Sequence, residues 1–454
     1  MNNLLDLFDQ TVFRFEEATN VTSVGQCVWV YNRAIDLDGL RRFHRHLQRG
    51  RFSRRIERSP LPFGRHRWVS PSHESELEIV ATPRPREEFD AWLREQAATR
   101  LDAERGPGWH LAVLPFTDGG AGVSLVGLHS LADGMAGCLA VVEAACGYDS
   151  AIDWPAEGSR RRWQALREDA RQAARDLPSV GRAMVAAAAA ARAARRNRVG
   201  AAPAAPPPMP LAVDGPVTIP TATIFIDADE WDARAEALGG TSNALLAGVA
   251  ARLAERVGRV GTDGSVTLSI PVSERTADDT RANAVANVDV TVDPAPAATD
   301  LRQIRAATKQ ALIQRHEAPD EREALLPLVP LLPKRLAKRC VGVATGNATG
   351  VVSSNIGAAP AAVNRPDGTD ADFVWVTSLY PGMTKATLDR IGGVLALLSA
   401  RVNGHVFVSV QAYQPGRSNS TGILRQALSS VLDEFSLDPV DDWSRPLAAQ
   451  ATRI

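Results

Sequence analysis

Cysteine, tyrosine and methionine are scarce in this chain, at four, four and five of 454 residues. Cys27, Cys138, Cys146 and Cys340 lie scattered without metal-ligand spacing, which argues against a zinc ribbon or a disulfide scaffold. They read as buried free thiols of a reducing compartment. No apolar run approaches the roughly 18–20 residues that cross a bilayer. The opening "MNNLLDLFDQTVFRFEE" carries acids where a signal peptide has cations and an apolar core. A cytoplasmic location is expected, with peripheral membrane contact as an option. An excess of one charge is also missing: 51 basic and 52 acidic side chains give a formal charge of −1, and hence no global pull toward nucleic acid. Nucleophile elbows, Walker loops and dinucleotide-binding glycine motifs are absent too, and no His/Asp/Glu cluster completes a metal site.

What is present is ordinary globular chemistry: 45% apolar and 23% charged residues, on a length that suits two domains. Residues 1–150 alternate strand and helix patterns. "VGQCVWVYNRAI" is a strand, "DLDGLRRFHRHLQRG" a capped helix and "WHLAVLPFTDGGAGVSLVGLH" a hairpin. "GMAGCLAVVEAACGY" reads as a helix with Met135, Leu139 and Val142 on one face. Residues 151–215 form an Arg/Ala/Pro-rich crossover. Between Arg160 and Arg198 stand eleven arginines against three acids, with Arg167, Arg171 and Arg175 spaced i, i+4. This segment (residues 160–198) reads as a solvated helix pair and linker, or as a basic surface for anionic lipid or a phosphorylated cofactor. Residues 216–454 repeat the mixed pattern, with a helix opened by Thr299 and a hairpin at Asn403-Gly404.

The chemistry concentrates in "VSLVGLHSLADGMAG", Val123 to Gly137. Strand alternation puts Val123, Leu125, Gly127 and His129 on one face and Ser124, Val126 and Leu128 on the other. Both faces are mostly apolar, so the strand is central and His129, at its end, is desolvated and neutral. A neutral imidazole there suits proton abstraction from a hydroxyl or amine, with a satisfied structural histidine as the plainer alternative. Asp133 can cap the next helix, orient His129 or pair with a distant arginine.

These residues, and the order of several others, resemble the wax ester synthase/diacylglycerol acyltransferase family. That family lies within the CoA-dependent acyltransferase superfamily, which also holds condensation domains. The signature is HxxxDG, His129 to Gly134. "LLDLFDQTVFRFEEATN", "PFGRHRWV", "PGWHLAVL" (with Trp109), "DGPVTI" and "ALGGTSNALLAGVAARLAE" (with Asn243) match in order. "LSIPVSERT", "NAVANVDVTVDP" (with Asn287) and "VVSSNIGAAP" (with Asn355) complete the series.

The resemblance implies two mixed α/β chloramphenicol-acetyltransferase-like domains meeting across a substrate tunnel. Acyl-CoA would be co-substrate, with no bound cofactor or metal. His129 would be the base that lets an acceptor hydroxyl attack the thioester directly. Asp133 would be structural, with Arg275 as its candidate partner, and Gly134 would close the motif. Trp109, Asn243, Asn287 and Asn355 would contact substrate, and residues 160–198 could meet a membrane or lipid droplet. Two positions depart from the family: Leu128 stands where a second histidine is usual, and Ala244 where an aspartate follows Asn243. They leave room for an alcohol or amine of a specialised metabolite or glycolipid as acceptor, or for a non-catalytic lipid-binding relative.

Overall fold

Short polar side chains decide where the helices begin. Asp6, Asp36, Asp133, Asp227, Thr241 and Ser420 each accept a backbone amide from the first turn of the helix that follows. The computed structural model describes residues 3–71, 74–148, 152–198, 215–276, 279–318, 323–333, 350–440 and Trp443; Cys340 lies outside them. The first half holds α1 (Leu7–Thr19), β1 (Val24–Tyr31), α2 (Leu37–Leu47), β2 (Arg55–Glu57), β3 (Arg67–Val69) and β4 (Leu77–Ile79). It continues with α3 (Phe89–Ala97), β5 (Trp109–Pro115), β6 (Ala121–Leu128) and α4 (Gly134–Ala145). The helix α5 (Arg162–Arg198) crosses over. Then come β7 (Thr221–Asp227), α6 (Ala228–Ala237), α7 (Ser242–Val257), β8 (Val266–Ser273), β9 (Val285–Val292) and α8 (Arg302–Glu317). The chain goes on through β10 (Val351–Ala358), β11 (Phe373–Leu379), α9 (Lys385–Arg390), β12 (Val394–Val402), β13 (His405–Tyr413) and α10 (Thr421–Glu434).

Two sheets organise these elements, one ordered β11-β1-β6-β5-β4 and the other β7-β13-β12-β10-β8-β9. The first sheet borrows β11 from the second half of the chain, pairing it antiparallel to β1. The Trp29 indole donates to the Val363 carbonyl at 2.8 Å, tying the halves together again. All eight residues of β6 are buried, as a central strand covered on both faces requires. The β12–β13 turn places Asn403 and Gly404 at φ 48° and 77°, the left-handed geometry that Asn-Gly adopts readily in a two-residue hairpin.

Three local expectations are corrected. The crossover is one 37-residue helix rather than a pair, continuing through Pro178, which forgoes one amide donor at an exposed position. Helix α8 is not opened by Thr299: that hydroxyl donates back to the Pro296 carbonyl, while Asp300 receives the Arg302 amide. On α4 the most buried face is Ala136, Ala140, Val141 and Ala144, and Met135, Leu139 and Val142 are only half-buried. Small side chains let α4 pack closely against α2.

Candidate active site

His129 follows the last residue of β6, and both halves of the chain hold its backbone. Its amide donates to the Ser23 carbonyl at 2.9 Å. Its carbonyl accepts the Asn283 side-chain amide at 3.2 Å. A tight turn follows, with the Leu131 amide returning to the Leu128 carbonyl at 3.0 Å and the Asp133 amide donating to Ala282 O at 2.9 Å. Burial lowers the His129 pKa below its ordinary value; Asp133, its own carbonyl and Asn283 oppose that shift without reversing it. The ring is therefore a neutral proton acceptor at pH 7.

The Asp133 carboxylate is fully engaged in structural hydrogen bonds. One carboxylate oxygen caps α4 through the Ala136 amide at 2.7 Å. The other accepts the Ala284 amide at 2.8 Å and Arg275 Nη2 at 2.9 Å. Both side chains of the Asp133–Arg275 pair are nearly inaccessible, and Arg275 also donates to the Arg281 and Ala282 carbonyls. The motif aspartate is thus a structural latch, with the arginine singled out from the sequence as its partner.

Sequence reasoning missed a second latch beside it. Asp9, fully buried on α1, accepts the amides of Ala282 and Asn283 at 3.0 and 2.8 Å and the Asn283 side chain at 3.1 Å. Burial pushes its carboxyl up to about 6, against the pull of Arg54 and of these hydrogen bonds. Buried Arg54 donates to the Leu131 carbonyl at 2.6 Å and lies over the Trp68 ring at 4.1 Å. One clue was legible: Asp9 sits four residues before buried Phe13, so a carboxylate occupies the inward face of an amphipathic helix. Asn283 gave no local clue, because its partner His129 is 154 residues away.

Two cavities open along one face of the second sheet. The smaller, about 200 Å³, is lined by His129, Asp133, Gly134 and Asn355, with Gly25, Cys27, Phe52, Gly127 and Cys138 across from them. Gly25 and Gly127 are opposite one another on β1 and β6. A Cβ on Gly127 would meet Phe52 at 2.8 Å, whereas one on Gly25 would meet nothing within 4 Å. The larger cavity, about 430 Å³, is lined by Phe15, Glu16, Ser23, Arg259, Ser269, Asn287 and Asp289, among others. Alternate residues of β8 serve both: Thr267 and Ser269 the larger, Pro271 and Ser273 the smaller. Ser23, whose carbonyl holds the His129 amide, belongs to the larger one. Glu16, a further residue the sequence did not single out, accepts the Ser23 amide at 3.2 Å, and burial pushes its carboxyl up to about 7.

The residues singled out from the sequence divide accordingly. His129, Asp133, Gly134 and Asn355 share the smaller cavity. Asn243 stands directly behind, accepting the Asn355 side-chain amide at 2.6 Å. Asn287 faces the larger cavity. Trp109 lines neither; it is buried in the core beside His44, ring centroids 5.4 Å apart. Leu128 points to the opposite side of the sheet, into a cluster with Leu5, Trp68, Leu131 and Trp154. Ala244 is buried in the core of the second half, where a carboxylate would have no room in water. Among the described residues, no helix is long and apolar enough to cross a membrane.

No known sequence family and no curated protein matches the chain. Solved structures do. The first condensation domain of the CDA synthetase superposes with a TM-score of 0.57 at 14% identity, covering 98% of each chain. The wax ester synthase/diacylglycerol acyltransferase from Marinobacter aquaeolei gives 0.53 at 15%, covering 95% of this chain and 98% of that one. Polyketide synthase associated protein 5 from Mycobacterium tuberculosis gives 0.53 at 15%, covering 94% and 96%. The chain has the fold these proteins share, a mixed α/β architecture of two sheet-based halves.

Proposed function

We propose that the protein is an acyltransferase, carrying an acyl group from acyl-CoA to an acceptor hydroxyl with His129 as general base. One observation carries the reading: a neutral histidine, its backbone held by both halves of the chain, lines the smaller of two cavities that lie along the same strand β8. The two cavities, both lined mostly by apolar atoms, would be the arms of a tunnel, with the acyl chain in the smaller and the acceptor in the larger. His129 takes the acceptor's proton as its oxygen attacks the thioester carbonyl. The tetrahedral intermediate then collapses, and the imidazolium returns the proton to the departing CoA thiolate. Holding two substrates at one base supplies much of the acceleration.

A covalent acyl-enzyme on the cavity cysteines is disfavoured. Burial pushes the Cys138 thiol up to about 11 and raises that of Cys27 as well, so neither is a thiolate at neutral pH. Glu16, Ser269, Asn287 and Asp289, polar side chains in the otherwise apolar larger cavity, favour a second reading of the acceptor: an alcohol or amine of a specialised metabolite or glycolipid. Incubation with palmitoyl-CoA and a mixed pool of fatty alcohol, diacylglycerol, polyol and amine acceptors, followed by product analysis, decides between them. An ester of fatty alcohol or diacylglycerol supports the first reading, and an ester or amide of another acceptor the second. Binding of palmitoyl-CoA with no product from any acceptor contradicts both and leaves a lipid-binding protein.

A further inference from the structure

The crossover helix presents an unusual outer surface. Trp163, Leu177, Met184 and Val185 are 82%, 64%, 61% and 72% exposed, although large apolar side chains elsewhere are mostly buried. At 3.6 residues per turn the four fall within about a third of the helix circumference. Arg167, Arg171, Arg175 and Arg182, all exposed, run along one flank of that stripe. Of the helix's three acids, Asp169 is buried against Arg67 and Arg160 at 3.1 and 3.0 Å, Asp176 is half-buried, and Glu168, half-buried at the edge of the arginine flank, pairs with Arg160 at 3.6 Å. Those pairs, with buried Ala165 and Ala183, fix which face looks out.

We infer that the outer face of α5 docks on an anionic phospholipid surface, with Trp163, Leu177, Met184 and Val185 entering the interface and the arginine flank facing the headgroups. An apolar stripe beside a cationic one is the pattern of a helix lying in a membrane interface, where Trp sits at headgroup depth. Charge selects the occupant. Four exposed arginines against one half-buried acid, Glu168, favour an anionic surface over a second copy of this face, whose arginines would repel them. The inner side of α5 packs on the apolar turns Glu323–Leu331, and these pack on α1, whose Phe15 and Glu16 line the larger cavity. The docked face and that cavity are therefore two packed layers apart. This surface is independent of the catalytic reading, and its test uses no substrate.

The full chain is sedimented with vesicles of phosphatidylcholine alone and of phosphatidylcholine with phosphatidylglycerol, at low and high salt. The inference expects binding to the anionic vesicles only, weakened by salt. Trp163→Ser/Leu177→Ser/Met184→Ser should lower affinity about tenfold, and Arg167→Glu/Arg171→Glu/Arg175→Glu by about a hundredfold. All six positions are exposed, so unchanged thermal melting is expected of both variants and shows that loss of binding is not unfolding. Equal binding to neutral vesicles, no binding to either, or undiminished binding by the variants overturns the inference. A concentration-dependent dimer that the apolar variant abolishes, without vesicle binding, overturns it in favour of a second copy.

Discussion

The two faces of β6 differ sharply although their residues alternate along one strand. On one side Gly127 and the following His129 open onto a cavity, and neighbouring Gly25 leaves space. On the other, Val126 and Leu128 are sealed among Leu5, Trp68, Leu131 and Trp154. The difference shows that a departure from a family pattern must be weighed by the face it falls on. Leu128, where the resembled family usually has histidine, lies on the packed face in an apolar cluster, and the lining of the His129 cavity does not include it. The latches occupy neither face; they grip the loop beyond the strand.

Perturbing each side in turn sharpens the contrast. The largest stability effect is expected from the latch: Arg275→Met leaves the Asp133 carboxylate buried without its counter-ion, costing about 3–5 kcal/mol in urea unfolding. Loss of less than about 1 kcal/mol would show that the pair is dispensable. On the packed face, Leu128→His buries a polar ring among apolar neighbours, so a loss of about 1–3 kcal/mol with no gain in turnover is expected. A faster enzyme would overturn the assignment of faces. On the cavity face, Gly25→Val fills open space rather than a packed contact. It should change stability by less than about 1 kcal/mol and lower turnover of long acyl chains more than short ones.

A pH dependence is also expected. Asp9 and Glu16 have folded-state pKa values raised from 3.8 and 4.5 to about 6 and about 7, so the native state binds protons more tightly than the unfolded chain. Their contribution to stability is greatest below the unfolded values and falls as pH rises through the folded ones. These two carboxyls should therefore pull the urea midpoint down between about pH 4 and 7, against the opposite trend of His44, His66 and His129, whose pKa values burial lowers. Glu16→Gln should flatten the upper part of the drop, and an unaltered slope in this variant would remove Glu16 from the account.

Much of this was legible in sequence because it is local. Alternation placed β6 and identified its two faces, Asp caps marked the helix starts, and Asn403-Gly404 marked a hairpin. HxxxDG singled out His129 and Asp133, and the resemblance singled out Arg275, which pairs with Asp133. What was hidden depends on long-range pairing. The gift of β11 to the first sheet joins Val24–Val30 to Phe373–Leu379, and no local pattern encodes that. The Asp9–Asn283–His129 connection spans three separate segments. Trp109, picked out by motif order, lies in the core and lines neither cavity, as an aromatic at a strand start satisfies packing as readily as binding.

The central claim is that neutral His129 performs acyl transfer as a base. It is tested most directly by acceptor-dependent release of CoA thiol from palmitoyl-CoA, comparing the native chain with His129→Ala at matched thermal melting. The account predicts a fall of about 10²–10⁴-fold in the variant. It also predicts native activity whose acidic limb lies below pH 6.5, since burial holds the imidazole under its ordinary value. Undiminished release by a folded His129→Ala protein would contradict it.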